Sequence, residues 1–223
     1  MKVSVLRFPG TNCELDTKYA FEKLGHSVEI IWHEDKSLPL DTKLVVVPGG
    51  FSYGDYLRSG SIARFAPIMK AVEEFANKGG YVLGICNGFQ ILTEIGLLEG
   101  ALKRNNNLHF ISKYQYLTVS NSDNTFLSGY NNDDVLNIPI AHADGNYYID
   151  DEGYKSLEEN NQILLRYCNK DGDRVVVNGS VSSIAGICNK NKNVFGLMPH
   201  PERAIETILG SMDGIKMLES FDR

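Results

Sequence analysis

The 223 residues carry 22 Lys and Arg against 28 Asp and Glu, a formal net charge of −6, which argues against general nucleic-acid binding, where a basic footprint is expected. A 43% hydrophobic share beside 22% charged residues excludes a disordered chain. At this length roughly 70% of the unfolded surface can be buried, so neither disulfides nor a structural metal is needed. No apolar run approaches the ~18 residues of a membrane span, and Met1–Arg7 reads as a strand rather than a signal peptide. The four cysteines, Cys13, Cys86, Cys168 and Cys188, form no C-x-x-C pair. Reduced thiols in a cytoplasmic protein are therefore the expectation.

In chain order, Val3 to Phe8 reads as a β-run ending at Pro9-Gly10, and Glu14 to Leu24 as a helix closed by Gly25. Val28 to Trp32 and the continuously apolar Leu44 to Val47 follow as strands, the second stopping at Pro48-Gly49-Gly50. A helical pattern over Ile62–Asn77 ends at Lys78-Gly79-Gly80, then Tyr81–Ile85 is a strand and Phe89–Ile95 a helix. This alternation predicts an α/β fold: a mostly parallel central sheet with helices on both faces. From Leu108 to Val119 and from Gln162 to Cys188 the chain turns β-rich, with hairpin-like turns at 169–172 and 189–193. Asn131–Asp134 reads as a surface loop. Val194–Met198 is the last strand, a short helix over Ile205–Leu209 closes at Gly210, and a final helical stretch holds Ile215 and Leu218. One domain over residues 1–223 is expected, its parallel sheet extended by an antiparallel β elaboration.

The sharpest local feature is Gly84-Ile85-Cys86-Asn87-Gly88, between a predicted strand and a predicted helix. It has the form of a nucleophile elbow with cysteine in the central position. A tight strand-to-helix turn brings neighbouring backbone close, which explains the flanking glycines. The sulfur then sits at a helix N-terminus, whose dipole and free N–H groups favour a thiolate. The Asn87 N–H points where an oxyanion would form. A buried structural cysteine between chance glycines is the competing reading. Cys168 and Cys188 sit in β-rich runs and read as core; Cys13 lies in a loop before a helix, without the elbow context.

A nucleophilic cysteine needs a base and an orienter. Of the five histidines, His26 and His33 flank the second strand and read as surface, and His109 has no acidic neighbour. His200 follows the last strand in Met198-Pro199-His200-Pro201-Glu202. A carboxylate two residues on can hold one ring nitrogen and leave the other facing the sulfur. Taken alone, this segment could equally be a turn. Both motifs, however, close predicted parallel strands, at the carboxyl ends where open α/β sheets build their sites. The loop Pro48-Gly49-Gly50-Phe51-Ser52-Tyr53-Gly54-Asp55 closes a third, and the Gly50 N–H is available there as a second oxyanion donor.

Gly84–Gln90 and Met198–Arg203 together resemble the class I, triad-type glutamine amidotransferases. Leu6-Arg7-Phe8-Pro9-Gly10-Thr11-Asn12-Cys13, the Pro48–Asp55 loop with Tyr56-Leu57-Arg58-Ser59-Gly60, the Leu102–Phe126 segment and Ile140-Ala141-His142 are similar to one branch: the separate glutaminase subunits of a purine-biosynthetic synthetase. The resemblance implies hydrolysis of L-glutamine to glutamate and ammonia through a Cys86 thioester. His200 would move the proton, Glu202 would orient it, and the N–H groups of Gly50 and Asn87 would hold the oxyanion. Gln90, Phe51 and His142 would line the glutamine. It further implies a large synthetase subunit that holds ATP and magnesium, a small bridging subunit, and no metal or cofactor in this chain. One departure stands out: His142-Ala143-Asp144-Gly145 stands where the family usually has His-Gly-Glu-Gly, with an acid one methylene shorter. Two rivals share the elbow. A PfpI-like hydrolase would place a histidine beside the nucleophile, where Asn87 stands, and a non-catalytic module on this scaffold would be expected to lose the Cys or the His.

Overall fold

A computed structural model describes residues 1–222. The first half runs β1 (Lys2–Arg7), α1 (Glu14–Lys23), β2 (Ser27–Trp32), β3 (Leu44–Val47), α2 (Pro67–Asn77), β4 (Tyr81–Ile85) and α3 (Asn87–Glu94). The second half runs β5 (Ala101–Lys103), β6 (Ile111–Val119), β7 (Val135–His142), β8 (Asn146–Tyr148), α4 (Asp151–Glu159), β9 (Ile163–Cys168), β10 (Ile184–Cys188), β11 (Val194–Leu197) and α5 (Ile215–Glu219). Nine strands form one sheet in the order β2-β1-β3-β4-β11-β10-β9-β6-β7, while β5 and β8 pair separately.

From β2 to β11 the neighbours are parallel; from β11 to β7 they are antiparallel. The predicted elaboration is thus a continuation of the same sheet. All four residues of β3 are buried, as is nearly all of β4, which is why these strands read as continuous apolar runs rather than alternating ones. Helix α3 packs on β3, β4 and β11. Two glycines opposite each other in register, Gly84 and Gly196, make that approach possible. A Cβ on Gly84 would lie 2.8 Å from the Gly88 backbone, and one on Gly196 would lie 2.6 Å from Leu98 and collide with the Phe89 ring.

Five local readings need correction. The helical pattern over 62–77 is broken: a 3-10 turn spans Ala63–Phe65, and Ala66 is extended at ψ 137°. Pro67 excludes the helical conformation from the residue before it and starts α2 instead. Helix α4 went unread because it is polar on most faces, burying only Leu157; its signal was the Asp150 cap, whose side chain accepts the Gly153 N–H at 2.8 Å. The helix expected over 205–209 shrinks to a 3-10 turn, Thr207–Leu209, ahead of Gly210 at φ 98°. The turn at 169–172 joins no two long strands, only the single bridge Cys168–Arg174, whereas 189–193 does connect β10 to β11. Cys168 and Cys188 are fully buried as expected. His26 is buried rather than on the surface, with Nδ1 3.3 Å from Asp222. No helix among the described residues is long and apolar enough to cross a membrane.

Candidate active site

The sheet order makes the site. β3, β4 and β11 lie side by side and parallel, so their carboxyl ends present Pro48–Gly50, Cys86 and Met198–His200 to one place. The Cys86 N–H donates to the Leu197 carbonyl at 2.7 Å, tying the elbow to the β11 end. Cys86 sits at φ 51°, ψ −105°, a conformation L side chains rarely adopt, and opens α3 as its N-cap. Such strain persists only where surrounding packing holds it. Here that packing is the Gly88 contact, since a Cβ there would collide with the Val47 carbonyl oxygen of β3. The positive φ, the free first-turn N–H of Asn87 and the exclusion of side chains at 84 and 88 together form an elbow.

His200 and Glu202 are each about 2% exposed, with Nδ1 and Oε1 2.7 Å apart. Burial alone would drive the imidazole neutral, but the charges of Glu202 and Cys86 outweigh it and hold His200 up at about 10. Nδ1 is therefore the donor to the carboxylate, and Nε2 has no hydrogen-bond partner among the described residues, which leaves it free for proton transfer. The far edge of the sheet returns to this point: the Pro139 carbonyl of β7 accepts the His200 N–H at 2.8 Å, and the Ala141 carbonyl lies 3.6 Å from the Cys86 sulfur. Gly50, at φ 144°, is in a region suited to glycine; a Cβ there would fall 2.8 Å from the Asn12 nitrogen. Its loop is pinned by the Ser52 N–H donating to Asn87 Oδ1 at 3.1 Å, so the two expected oxyanion donors are held on one hydrogen-bonded unit.

The residues expected around the substrate are arranged differently from one another. Gln90 has both ends of its amide engaged, accepting from Asn87 Nδ2 at 2.8 Å and donating to the Asp144 carbonyl at 2.7 Å. Phe51 is 45% exposed, with its ring 6.5 Å from that of Phe110. His142 is buried, its Nδ1 3.2 Å from Asn105 Oδ1 and its Nε2 without a partner. Burial and the neighbouring His200 lower its affinity for a proton to a pKa of about 4, so it is neutral. The unusual Asp144 accepts from Ser59 Oγ at 2.7 Å. Its shorter side chain thus serves to join the 142–145 loop to the loop after β3.

Against this geometry, residues 1–217 match the CobB/CobQ-like glutamine amidotransferase domain. The chain belongs to this glutamine amidotransferase family. The subunit PurQ of phosphoribosylformylglycinamidine synthase from Sulfurimonas denitrificans is 64% identical over the full length of both chains. That from Campylobacter jejuni is 58% identical, over 99% of this chain and 96% of its own. Among solved structures, PurLQS from Thermotoga maritima superposes with a TM-score of 0.88 at 41% identity, covering 99% of this chain and 96% of that one. The glutaminase domain of Trypanosoma brucei CTPS, solved with bound acivicin, shares the fold at a TM-score of 0.62 and 11% identity.

In this amidotransferase the tertiary structure adds residues that sequence reading missed. Asn105, fully buried, donates to the carbonyls of His109 and His142 and accepts from the Gly145 N–H, fixing the whole 142–145 loop. Its only sequence signal was a polar residue in an Asn-rich loop. Cys13 is 3% exposed and lies at the site rather than away from it: its N–H donates to the Gly49 carbonyl at 3.2 Å, and Arg203 Nη2 is 3.1 Å from its sulfur. Burial, with the Glu202 charge beside it, pushes the Cys13 thiol far up, so it is neutral and a poor nucleophile. No local pattern marks it, because it reaches the site only through the β1–β3 pairing.

Proposed function

We propose that this chain is the glutaminase subunit of phosphoribosylformylglycinamidine synthase. Cys86 would attack the glutamine side-chain amide as a thiolate, its proton already resting on His200. The Gly50 and Asn87 N–H groups stabilise the tetrahedral oxyanion. His200 then protonates the leaving nitrogen, the C–N bond breaks, and ammonia departs from a Cys86 thioester. Water, deprotonated by His200, cleaves the thioester to glutamate and restores the thiol. Glu202 keeps the imidazole in its productive orientation. Gln90, Phe51 and His142 lie on the glutamine side. The ammonia goes to a large subunit, PurL, which uses ATP and magnesium to convert the formylglycinamide ribonucleotide to its amidine in the cytoplasm. A small subunit, PurS, bridges the two, and this chain carries no cofactor.

The observation that supports this reading most is the pairing of Cys86 with a buried His200–Glu202 dyad at adjacent strand ends, in a chain 64% identical to a PurQ subunit. The test uses the assembled complex. Cys86→Ala should abolish glutamine-dependent synthesis and leave synthesis from free ammonia intact. Loss of both activities would show that the two half-reactions are not divided in this way. A glutamine-analogue electrophile should label Cys86 and spare Cys13, Cys168 and Cys188 in a peptide map.

A further inference from the structure

The Cys13 sulfur, a ring nitrogen of His200 and a carboxylate oxygen of Glu202 all lie within 4.8 Å of one another, and all three residues are buried. Two of them carry atoms with no hydrogen-bond partner among the described residues: Nε2 of His200 and Oε2 of Glu202. Beside them is Gly49, whose Cβ, were there one, would lie 3.1 Å from the Cys13 sulfur and 2.8 Å from Cε1 of His200. The catalytic cycle proposed above gives Cys13 no task.

Thiolate, imidazole and carboxylate are the donor set of a borderline divalent cation, whereas magnesium and calcium take oxygen ligands. Three donor atoms within 4.8 Å of one another are within reach of one ion on zinc bonds of about 2.0–2.3 Å once the side chains rotate. The charges also balance, since a thiolate, a neutral imidazole and a carboxylate neutralise a dication. One group opposes the ion: Arg203, with Nη2 on the Cys13 sulfur and Nε 3.0 Å from Asp16. Its side chain is about one-third exposed and can turn outward, keeping its pairing with Asp16.

We propose that Cys13, His200 and Glu202 form an inhibitory binding site for Zn²⁺ or Cd²⁺, with a fourth position open to water. Binding displaces the thiol proton of Cys13 and one proton of the His200 imidazolium, from the ring nitrogen that takes the ion; no electron is transferred. The ion removes His200 from its work as base, so glutamine hydrolysis stops. The inhibition rests on the triad reading above, but the binding does not.

Co²⁺ is the probe, added to the full-length chain under reducing, chelator-free conditions. Wild type and Cys86→Ser should both develop a thiolate-to-cobalt charge-transfer band that saturates at a single ion. Cys13→Ser should lose the band and weaken Zn²⁺ binding by at least about 100-fold, more than the roughly 10–100-fold of a group that merely orients a ligand. Cys13→Asp should keep binding without the band. Zn²⁺ should inhibit wild-type glutaminase and spare Cys13→Ser. A band that persists in Cys13→Ser, a band lost in Cys86→Ser, or no cobalt binding by wild type would overturn the proposal. Should Cys13→Ser not fold, the Cys86→Ser and Cys13→Asp spectra decide between the two sulfurs. A chain that binds cobalt as described yet hydrolyses no glutamine would sink the triad reading and leave the metal site standing.

Discussion

The carboxylate of Glu202 and the neutral ring of His142 flank the same imidazole from opposite sides of its chemistry. Glu202 favours the protonated form of His200 and fixes its Nδ1 tautomer. Replacing it with Gln keeps the shape and loses the charge. We expect Glu202→Gln to lower kcat about 10²–10⁴-fold, with substrate binding changed far less, because orientation and imidazolium stabilisation matter mainly in the transition state. Steady-state kinetics would check the split between kcat and KM. His142 gives a stability prediction. Its native pKa of about 4 lies below the ordinary value of 6.5. Between those two pH values the unfolded chain takes up a proton that the native site refuses. Stability is therefore unaffected above about pH 6.5 and falls as pH drops toward 4, by roughly 3 kcal/mol in all. His142→Gln should flatten that acid limb in urea titrations followed at several pH values; an unchanged slope would locate the titrating group elsewhere.

Elements set these residues in place through contacts that leave no room for side chains. Gly88 is helical, so an alanine there suffers no backbone penalty, only the collision of its Cβ with the Val47 carbonyl. Gly25 is the converse: φ is 87° and nothing lies within 4 Å of its Cβ position. Gly25→Ala should cost about 1–2 kcal/mol from the left-handed conformation alone and leave kcat unchanged. Gly88→Ala should cost a similar or larger amount by overpacking and also depress activity, because it pushes α3 and the elbow off β3. Melting temperatures and glutaminase rates measured together separate the two effects. Had Gly88→Ala kept full activity, the elbow would not depend on that contact.

The elbow itself was legible from the chain, since it is built by residues adjacent in sequence: a β-run, paired glycines, then helical spacing. Helix α4 was not, because a helix that buries one side chain has no apolar stripe to read. The break at Ala66 was legible in principle from Pro67, but the apolar spacing on either side masked it.

At the scale of the whole molecule, the site is closed. Cys86 is about 5% exposed and Gln90 equally so, while the loop carrying Gly50 holds the strongly exposed Tyr56 and Leu57. A sulfur this buried needs some opening of its surroundings before glutamine reaches it. That loop is tied to distant parts of the fold: Phe51 and Tyr53 N–H groups donate to the Gly10 and Pro9 carbonyls, the Tyr53 hydroxyl pairs with His33, and Ser52, Arg58 and Ser59 reach Asn87, Glu94 and Asp144. The isolated chain should therefore show weak glutaminase activity that rises when a large synthetase subunit binds, seen as ammonia release with and without it. Full activity in isolation would count against coupling between the two sites.

What the amino-acid sequence alone determined is the α/β class, the parallel strands of the first half, the cysteine elbow and the His-x-Glu pair. Each rests on spacing within a few residues, where hydrophobic period and steric demand act directly. What only the tertiary structure decided is which distant pieces share the cleft. The β3-β4-β11 order brings position 200 beside position 86, the returning edge strand supplies the Pro139 and Ala141 carbonyls, and the β1–β3 pairing delivers Cys13. Those meetings depend on strand order and sheet curvature, which arise from the balance of burial over the whole chain rather than from any local pattern.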